Sequence, residues 1–439
     1  MRISITRAAR CAASLTLFAS LASVVSPIVT PLAAQMAAGA AREVQRTQLH
    51  DFKMVTVVEG LVSPWGFAFV SAGDILVTQR GGQLRLIRGG KLMPDPVAGV
   101  PAVRASGQGG LLDIVTHPKF AENKLVYISY SKPNADGSQG TTAVIRARWE
   151  NDRLNDVQEI FEAKAWSTGR GHYGSRLAFD RDGYLFITLG DRLAPATGEL
   201  EKHPSQDLTT HHGKTIRLKD DGSVPADNPF VNTPGALPEI WSYGHRNMQG
   251  IAIHPVTNEV WTIEHGPQGG DELNLDVAGK NYGWPVVGFG VNYRSGTAIH
   301  PGTTREGLEP PVNVWVPSIA VQNLVIYTGD KFPEWKGELL HRRSRGRAAR
   351  ATHARRQDGE ERREHGAGPG AHPRAAAGAG RVPLPRVRGR GRWAVEAGAA
   401  RAGATVVAQR INRRRTGGRQ SAAPRSRCRT TAQRSRTVI

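Results

Sequence analysis

The sequence predicts an all-β protein with the strand spacing of a β-propeller, and three observations predict it. From about Val55 to Asp330 the chain is a series of short β-type runs broken by Gly, Asp, Asn and Pro. An apolar strand, a turn and a second strand rich in β-branched and aromatic residues recur every ~45 to 75 residues, a spacing too irregular for a solenoid but suited to blades with loops inserted on one face. No helix-length amphipathic segment interrupts them. A pair of β-sandwiches is the other architecture that such strands permit.

The units are readable in order. Trp65 to Phe69 is followed by Asp74 to Thr78, and Leu111 to Val115 by Leu125 to Ser129. Arg176 to Phe179 is followed by Tyr184 to Thr188, and Gly250 to Ile253 by Glu259 to Ile263. The first strands at Leu111, Arg176 and Gly250 are entered from polar, glycine-containing loops, and in a propeller such loops converge on one face, so residues distant in sequence can share a site.

Composition divides the 439 residues into unequal parts. Of the 58 basic residues, 26 fall in 341–439, all of them arginine, with only 5 of the 38 acidic ones; the first 340 residues therefore hold 32 basic and 33 acidic groups. The net charge of +20 thus belongs to the tail, and the near-neutral body gives no reason to expect a nucleic-acid or anionic-membrane partner. The tail has a single aromatic residue, Trp393, and too little apolar surface to fold alone. Arg2, Arg7 and Arg10 precede a mostly apolar stretch from Ala12 to Ala34 and small residues around Ala33–Ala40, the pattern of a secretory signal. Ser23, Ser26, Pro27 and Pro31 interrupt the run where a spanning helix should be continuous, so stable membrane insertion is not expected. Cys11 and Cys428 are the only cysteines, which leaves the body without disulfides or thiolate chemistry. The expected organisation is a signal peptide and leader over 1–40, an incomplete propeller over 41–340 and a basic tail over 341–439.

The polar loops carry the candidate chemistry. They are Gly107 to Gly110, His172 to Arg176, Gly190 to Arg192, Gly244 to Gly250, Glu264 to Glu272 and Asn281 to Pro285. His172 is either a hydrogen-bonding structural residue or a base whose tautomer a carboxylate such as Asp191 fixes. Arg246-Asn247 either staples a loop or offers a guanidinium and an amide to a planar anion. The Gly266-Pro267 turn is either only a turn or a source of hard carbonyl donors for Ca²⁺, with Asp271 and Glu272 nearby.

Taken in this order, the loops resemble the soluble quinoprotein aldose dehydrogenases of the glucose/sorbosone dehydrogenase family, over roughly residues 50–340. The resemblance implies a six-bladed β-propeller in the periplasm, or secreted, that uses pyrroloquinoline quinone (PQQ) and Ca²⁺ to oxidise aldose sugars to lactones and passes the electrons to an external acceptor. It implies His172 as general base, Asp191 as its orienting partner, and Gln108, Arg246 and Asn247 as contacts to quinone or sugar, Arg246 also stabilising charge on the quinone. The Gly266 and Pro267 carbonyls would hold the quinone-bound Ca²⁺, and Glu272 and Tyr282 a second, structural one. Gly171 stands where glucose-specialised members carry an Asp, which resembles the broader aldose branch. A six-bladed lactonase or esterase, or a non-catalytic binding propeller, are the alternatives. A lactonase needs side-chain carboxylates on a central metal, whereas this chain offers backbone carbonyls beside Arg246-Asn247.

The resemblance stops at Leu340, where the last blade is expected and Arg-Ala-Gly-rich sequence follows. A one-base shift of frame in GC-rich DNA accounts for it better than a genuine basic tail. Read one base on, His341 to Ser344 permits Ile-Gly-Ala-Leu, Gly378 to Arg386 permits Gly-Pro-Asp-Gly-Tyr-Leu-Tyr-Leu, and Arg392 to Ala400 permits Gly-Gly-Leu-Trp-Lys-Leu-Glu-Pro. The same frame permits Arg-Ile-Arg across Ala371, His372 and Pro373. The chain as written is therefore expected to lack its last blade, with no stable fold over 341–439.

Overall fold

A computed structural model describes residues 41–45, 52–343, 350–352 and 403–410. The strands form six antiparallel sheets. Four have four strands each: β3 (Pro64–Phe69), β4 (Asp74–Gln79), β5 (Gln83–Arg88) and β6 (Lys91–Leu92); β7 (Leu111–Thr116), β8 (Leu125–Pro133), β9 (Gly140–Glu150) and β10 (Arg153–Glu162); β11 (Leu177–Phe179), β12 (Leu185–Thr188), β13 (Lys214–Leu218) and β14 (Ile240–Tyr243); β15 (Met248–Ile253), β16 (Val260–Glu264), β17 (Asp271–Asp276) and β18 (Asn313–Trp315). Two have three: β19 (Val321–Ile326), β20 (Leu339–Arg343) and β21 (Arg350–Thr352), and a sheet in which β2 (Phe52–Leu61) lies between β1 (Ala41–Gln45) and β22 (Gly403–Arg410). Helix is confined to α1 (Phe120–Asn123) and two single 3₁₀ turns among the described residues.

Five of the six sheets are meanders in which successive strands pair, and their first strands touch in the series β3, β7, β11, β15, β19. This is the all-β propeller that the recurring strand pairs predict, and all four pairs read from the sequence are first and second strands of blades. Second strands such as β4 and β12 are buried along nearly their whole length because both sheet faces meet a neighbour, which is why Ile75 to Val77 and Leu185 to Ile187 read as unbroken apolar runs.

The core lies between blades. Leu76, Leu84 and Leu111 pack with Ile114 and Ile128 between the first and second, while Tyr127, Val144, Leu185 and Ile216 fill the next seam. Ile263, Leu273 and Trp315 meet Val321 and Leu324 between the fourth and fifth. The remaining sheet packs Val57, Val58 and Leu61 of β2 on Ile75, Val77 and Ile87, and Phe52 meets Trp335 edge-on at 5.9 Å. Residues 341–343, 350–352 and 403–410, inside the segment read as an out-of-frame tail, have extended and paired backbone. The rest of that segment, including the segments whose shifted reading resembles strands apart from 341–343, and the signal-like residues 1–40 lie outside the described residues. No helix among the described residues is long and apolar enough to cross a membrane.

In this topology the starts of first strands and the ends of second strands share one end of the propeller. The loops before β7, β11 and β15 and those after β12 and β16 all emerge there, which assembles the candidate residues.

Candidate active site

His172 and Asp191 reach each other from the two ends of one hairpin. His172 precedes β11 and Asp191 follows β12; Nδ1 of the imidazole is 2.6 Å from Asp191 Oδ1. Gly190 makes this approach possible, because a Cβ there would lie 2.3 Å from the His172 carbonyl oxygen. The second carboxylate oxygen accepts the indole N–H of Trp284 at 2.9 Å, and Oδ1 also accepts the Leu193 N–H at 2.9 Å. A carboxylate held by three donors fixes the imidazole with its proton on Nδ1, so Nε2 carries the lone pair. Among the described residues Nε2 has no hydrogen-bond partner, and the side chain is 10 % exposed.

Burial pushes the His172 imidazole down, Asp191 pushes it back up, and Arg246 and Arg192 push it down again; the net lies below the ordinary histidine value. Burial pushes the Asp191 carboxyl up, but the hydrogen bond and charge of His172, with Arg246 and the Leu193 amide, outweigh it and hold it below the usual carboxylate range. At neutral pH the pair is a neutral imidazole on an ionised carboxylate, the state a proton acceptor needs.

The backbone around His172 is bent to aim it. His172 sits in the left-handed region at φ 51°, its N–H donates to Gln108 Oε1 at 2.8 Å, and the Arg192 guanidinium grips the carbonyls of Gly171 and, at 2.8 Å, Gly169. Gln108 therefore spends its oxygen on the loop of His172, and its NH₂ remains for a ligand. Gly171 leaves room beside it: a Cβ there would stand 3.1 Å from Gln108 Oε1 and from Leu193.

Arg246 and Asn247 sit across from the histidine on the loop before β15. The Arg246 carbonyl accepts the Asp191 N–H at 2.8 Å, and Asn247 Oδ1 accepts the Gly174 N–H at 3.3 Å and Gln249 Nε2 at 3.1 Å, so these residues and the His172 loop are mutually anchored. Arg246 Nη1 donates to the carbonyls of His265 at 3.0 Å and Gly266 at 2.8 Å, and its guanidinium lies 5.2 Å over Trp284. Its Nε is buried with no partner among the described residues. An orphaned guanidinium donor at the mouth of a loop cluster suits an anionic, carbonyl-bearing ligand such as PQQ. The Gly266-Pro267 turn is tied down by the Gly266 N–H on Asp271 Oδ1 at 3.1 Å, and Ser318 donates to the same carboxylate at 2.9 Å. Backbone carbonyls of such a turn are the hard oxygens that Ca²⁺ takes, and in this structure the Gly266 carbonyl accepts Arg246 Nη1.

Glu272 and Tyr282 come together elsewhere, in a cavity of about 450 Å³ that Glu309 and Thr304 also line. Burial, then Glu264 and Asp271, holds the Glu272 carboxyl well above its usual range, a charge arrangement that a cation would relieve. The Tyr282 hydroxyl is already used, donating to the Leu275 carbonyl and accepting the Val277 N–H at 2.9 Å.

Sequence reasoning missed Trp284 and Glu264 as members of the site. Both stand inside motifs that it singled out, but nothing in their type or spacing shows that an indole reaches a carboxylate 93 residues away.

The fold and loop cluster define a propeller with a histidine–carboxylate pair facing an arginine-bearing loop. The chain belongs to the glucose/sorbosone dehydrogenase family, whose sequence profile matches residues 61–364 and so runs past Leu340. It is 44% identical over 282 residues to the aldose sugar dehydrogenase YliI of Escherichia coli, covering 63% of this chain and 74% of that one. The crystal structure of the soluble aldose sugar dehydrogenase of E. coli in its apo form superposes with a TM-score of 0.63 at 40% identity, covering 68% of this chain and 85% of that one. The PQQ-bound form of the aldose sugar dehydrogenase of Streptomyces coelicolor gives 0.54 at 28% identity, over 68% and 80%. The family is one of quinoprotein-type sugar dehydrogenases, and this chain is an enzyme of that family.

Proposed function

We propose that this protein oxidises aldose sugars to lactones with PQQ and Ca²⁺, in the periplasm or outside the cell. The observation that carries the reading is the His172–Asp191 pair, neutral on the ring and with Nε2 unpartnered among the described residues, at the same end of the propeller as Arg246, whose buried Nε lacks a partner there. The PQQ-bound relative supports the choice of cofactor.

Gln108 Nε2, the Asn247 amide and Arg246 would hold the quinone, and the Gly266 and Pro267 carbonyls its Ca²⁺. Bound there, the pair supplies a two-electron acceptor for the hydride of the anomeric carbon. His172 Nε2 takes the proton of the anomeric hydroxyl, so that the C–O bond becomes the lactone carbonyl. Asp191 keeps the Nδ1 proton in place and steadies the imidazolium that forms. Arg246 would stabilise the negative charge that gathers on the quinone. Glu272 and the Tyr282 backbone would take a second, structural Ca²⁺.

The experiment is reconstitution of the purified, frame-restored protein with PQQ and Ca²⁺, followed by reduction of an artificial electron acceptor with a panel of aldoses. Aldose-dependent reduction that needs both additions is expected. A lactonase would instead hydrolyse lactones with metal alone, and a binding propeller would turn over neither.

A further inference from the structure

Glu264 ends β16 with its carboxylate buried, 3% exposed, directly beneath the loop that carries Arg246 and Asn247. Its Oε2 accepts two consecutive backbone donors, the N–H of Arg246 at 2.7 Å and that of Asn247 at 3.3 Å. Its Oε1 lies 2.9 Å from His245 Nδ1 and accepts from Asn274 Nδ2 at 3.0 Å. His245 is fixed in turn, with Nε2 3.0 Å from Ser242 Oγ and its ring stacked on Tyr282 at 4.5 Å. Three successive residues therefore hang on one carboxylate. Capturing adjacent N–H groups on one oxygen fixes two peptide planes, and with them the directions in which the Arg246 and Asn247 side chains leave the backbone.

We propose that Glu264 is a positioning residue that holds Arg246 and Asn247 in their ligand-binding pose without itself touching the ligand. The inference rests on the reading of that pair as quinone contacts. Glutamine at 264 keeps one oxygen for the two N–H groups but turns a donor toward Asn274 Nδ2, so it retains part of the function; alanine retains none.

The test compares the frame-restored full chain, as parent, with Glu264→Gln, Glu264→Ala and, as a control that removes a different hydrogen bond to the same carboxylate, Asn274→Ala. Two quantities are read: residue-resolved amide exchange at Arg246 and Asn247 relative to the rest of the sheet, and PQQ affinity in excess Ca²⁺ by quenching of tryptophan fluorescence. In Glu264→Ala the two amides should exchange ~10²-fold faster with the flanking strands unchanged, and PQQ should bind ~10- to 10²-fold more weakly. Glu264→Gln should fall between, and Asn274→Ala near the parent on both. Uniform acceleration across the sheet, or unchanged exchange at the two amides, overturns the proposal, as does unchanged affinity where the parent binds PQQ. Selective acceleration in a parent that binds no PQQ upholds the positioning role and rejects the quinone reading.

Discussion

Asp191 Oδ1 lies 2.6 Å from His172 Nδ1, although 19 residues and a whole β-hairpin separate them. The contact sets the tautomer, the basicity and the direction of the imidazole together. Asp191→Asn removes the charge that holds a proton on the ring. Turnover should fall about 10- to 10²-fold. Because Asp191 raises the His172 pKa, its loss lowers that pKa further, so the acid limb of the pH–rate profile should move to lower pH than in the parent. In the parent that limb should already lie below the ordinary histidine value of about 6.5. A limb at or above that value, or one that Asp191→Asn leaves in place, would contradict the pairing.

Lys214 opens β13 fully buried, and its ammonium donates to the carbonyls of Pro204 at 3.1 Å, Ser205 at 3.0 Å and His212 at 2.6 Å. Burial pushes its pKa down to about 7. The Ser205 carbonyl also accepts the Gly244 N–H at 3.0 Å, so this cation braces the loop leading to Arg246. Lys214→Met should destabilise the fold by about 2 to 4 kcal/mol by leaving the carbonyls unpaired, measured by urea unfolding. A change below about 0.5 kcal/mol would show that the cage is dispensable.

Chelation of calcium should abolish turnover and lower the thermal midpoint, since a ligand bound only by the folded state stabilises it by mass action. A scan with and without chelator that shows no shift, together with full activity, would count against the carbonyl site at Gly266-Pro267.

Much of this was legible in the sequence. The strand pairs were, because second strands buried on both faces leave unbroken apolar runs such as Ile75 to Val77. His172, Asp191, Arg246 and Asn247 were, because each stands in a glycine-rich loop at a strand end, and the topology brings such loops to one face. Less legible was what each side chain does. Gln108 reads as a ligand contact, yet its oxygen serves the His172 N–H. Glu264 reads as part of a turn motif, yet it anchors the loop that enters the neighbouring strand of its own blade, because which residues face each other across a strand pair depends on register that local pattern does not encode.

The last blade makes its own prediction. The fifth sheet has three strands, β19, β20 and β21, where the first four have four, and Phe67 and Phe69 of β3 are 39% and 51% exposed. The chain as written should be a poor or inactive dehydrogenase that aggregates. Removing one base near the codons for Leu340 and His341 should restore solubility and activity. If resequencing confirms the written frame and that protein binds PQQ and turns over sugar, the frame-shift account is wrong.

The most direct test of the central claim is the rate at which an aldose reduces PQQ bound to the frame-restored protein, followed in a single turnover for the parent and for His172→Ala. With His172 as the base, the variant should bind PQQ with near-parent affinity and reduce it ~10²- to 10⁴-fold more slowly. Equal rates in the two proteins would return His172 to a purely structural role and remove the catalytic assignment.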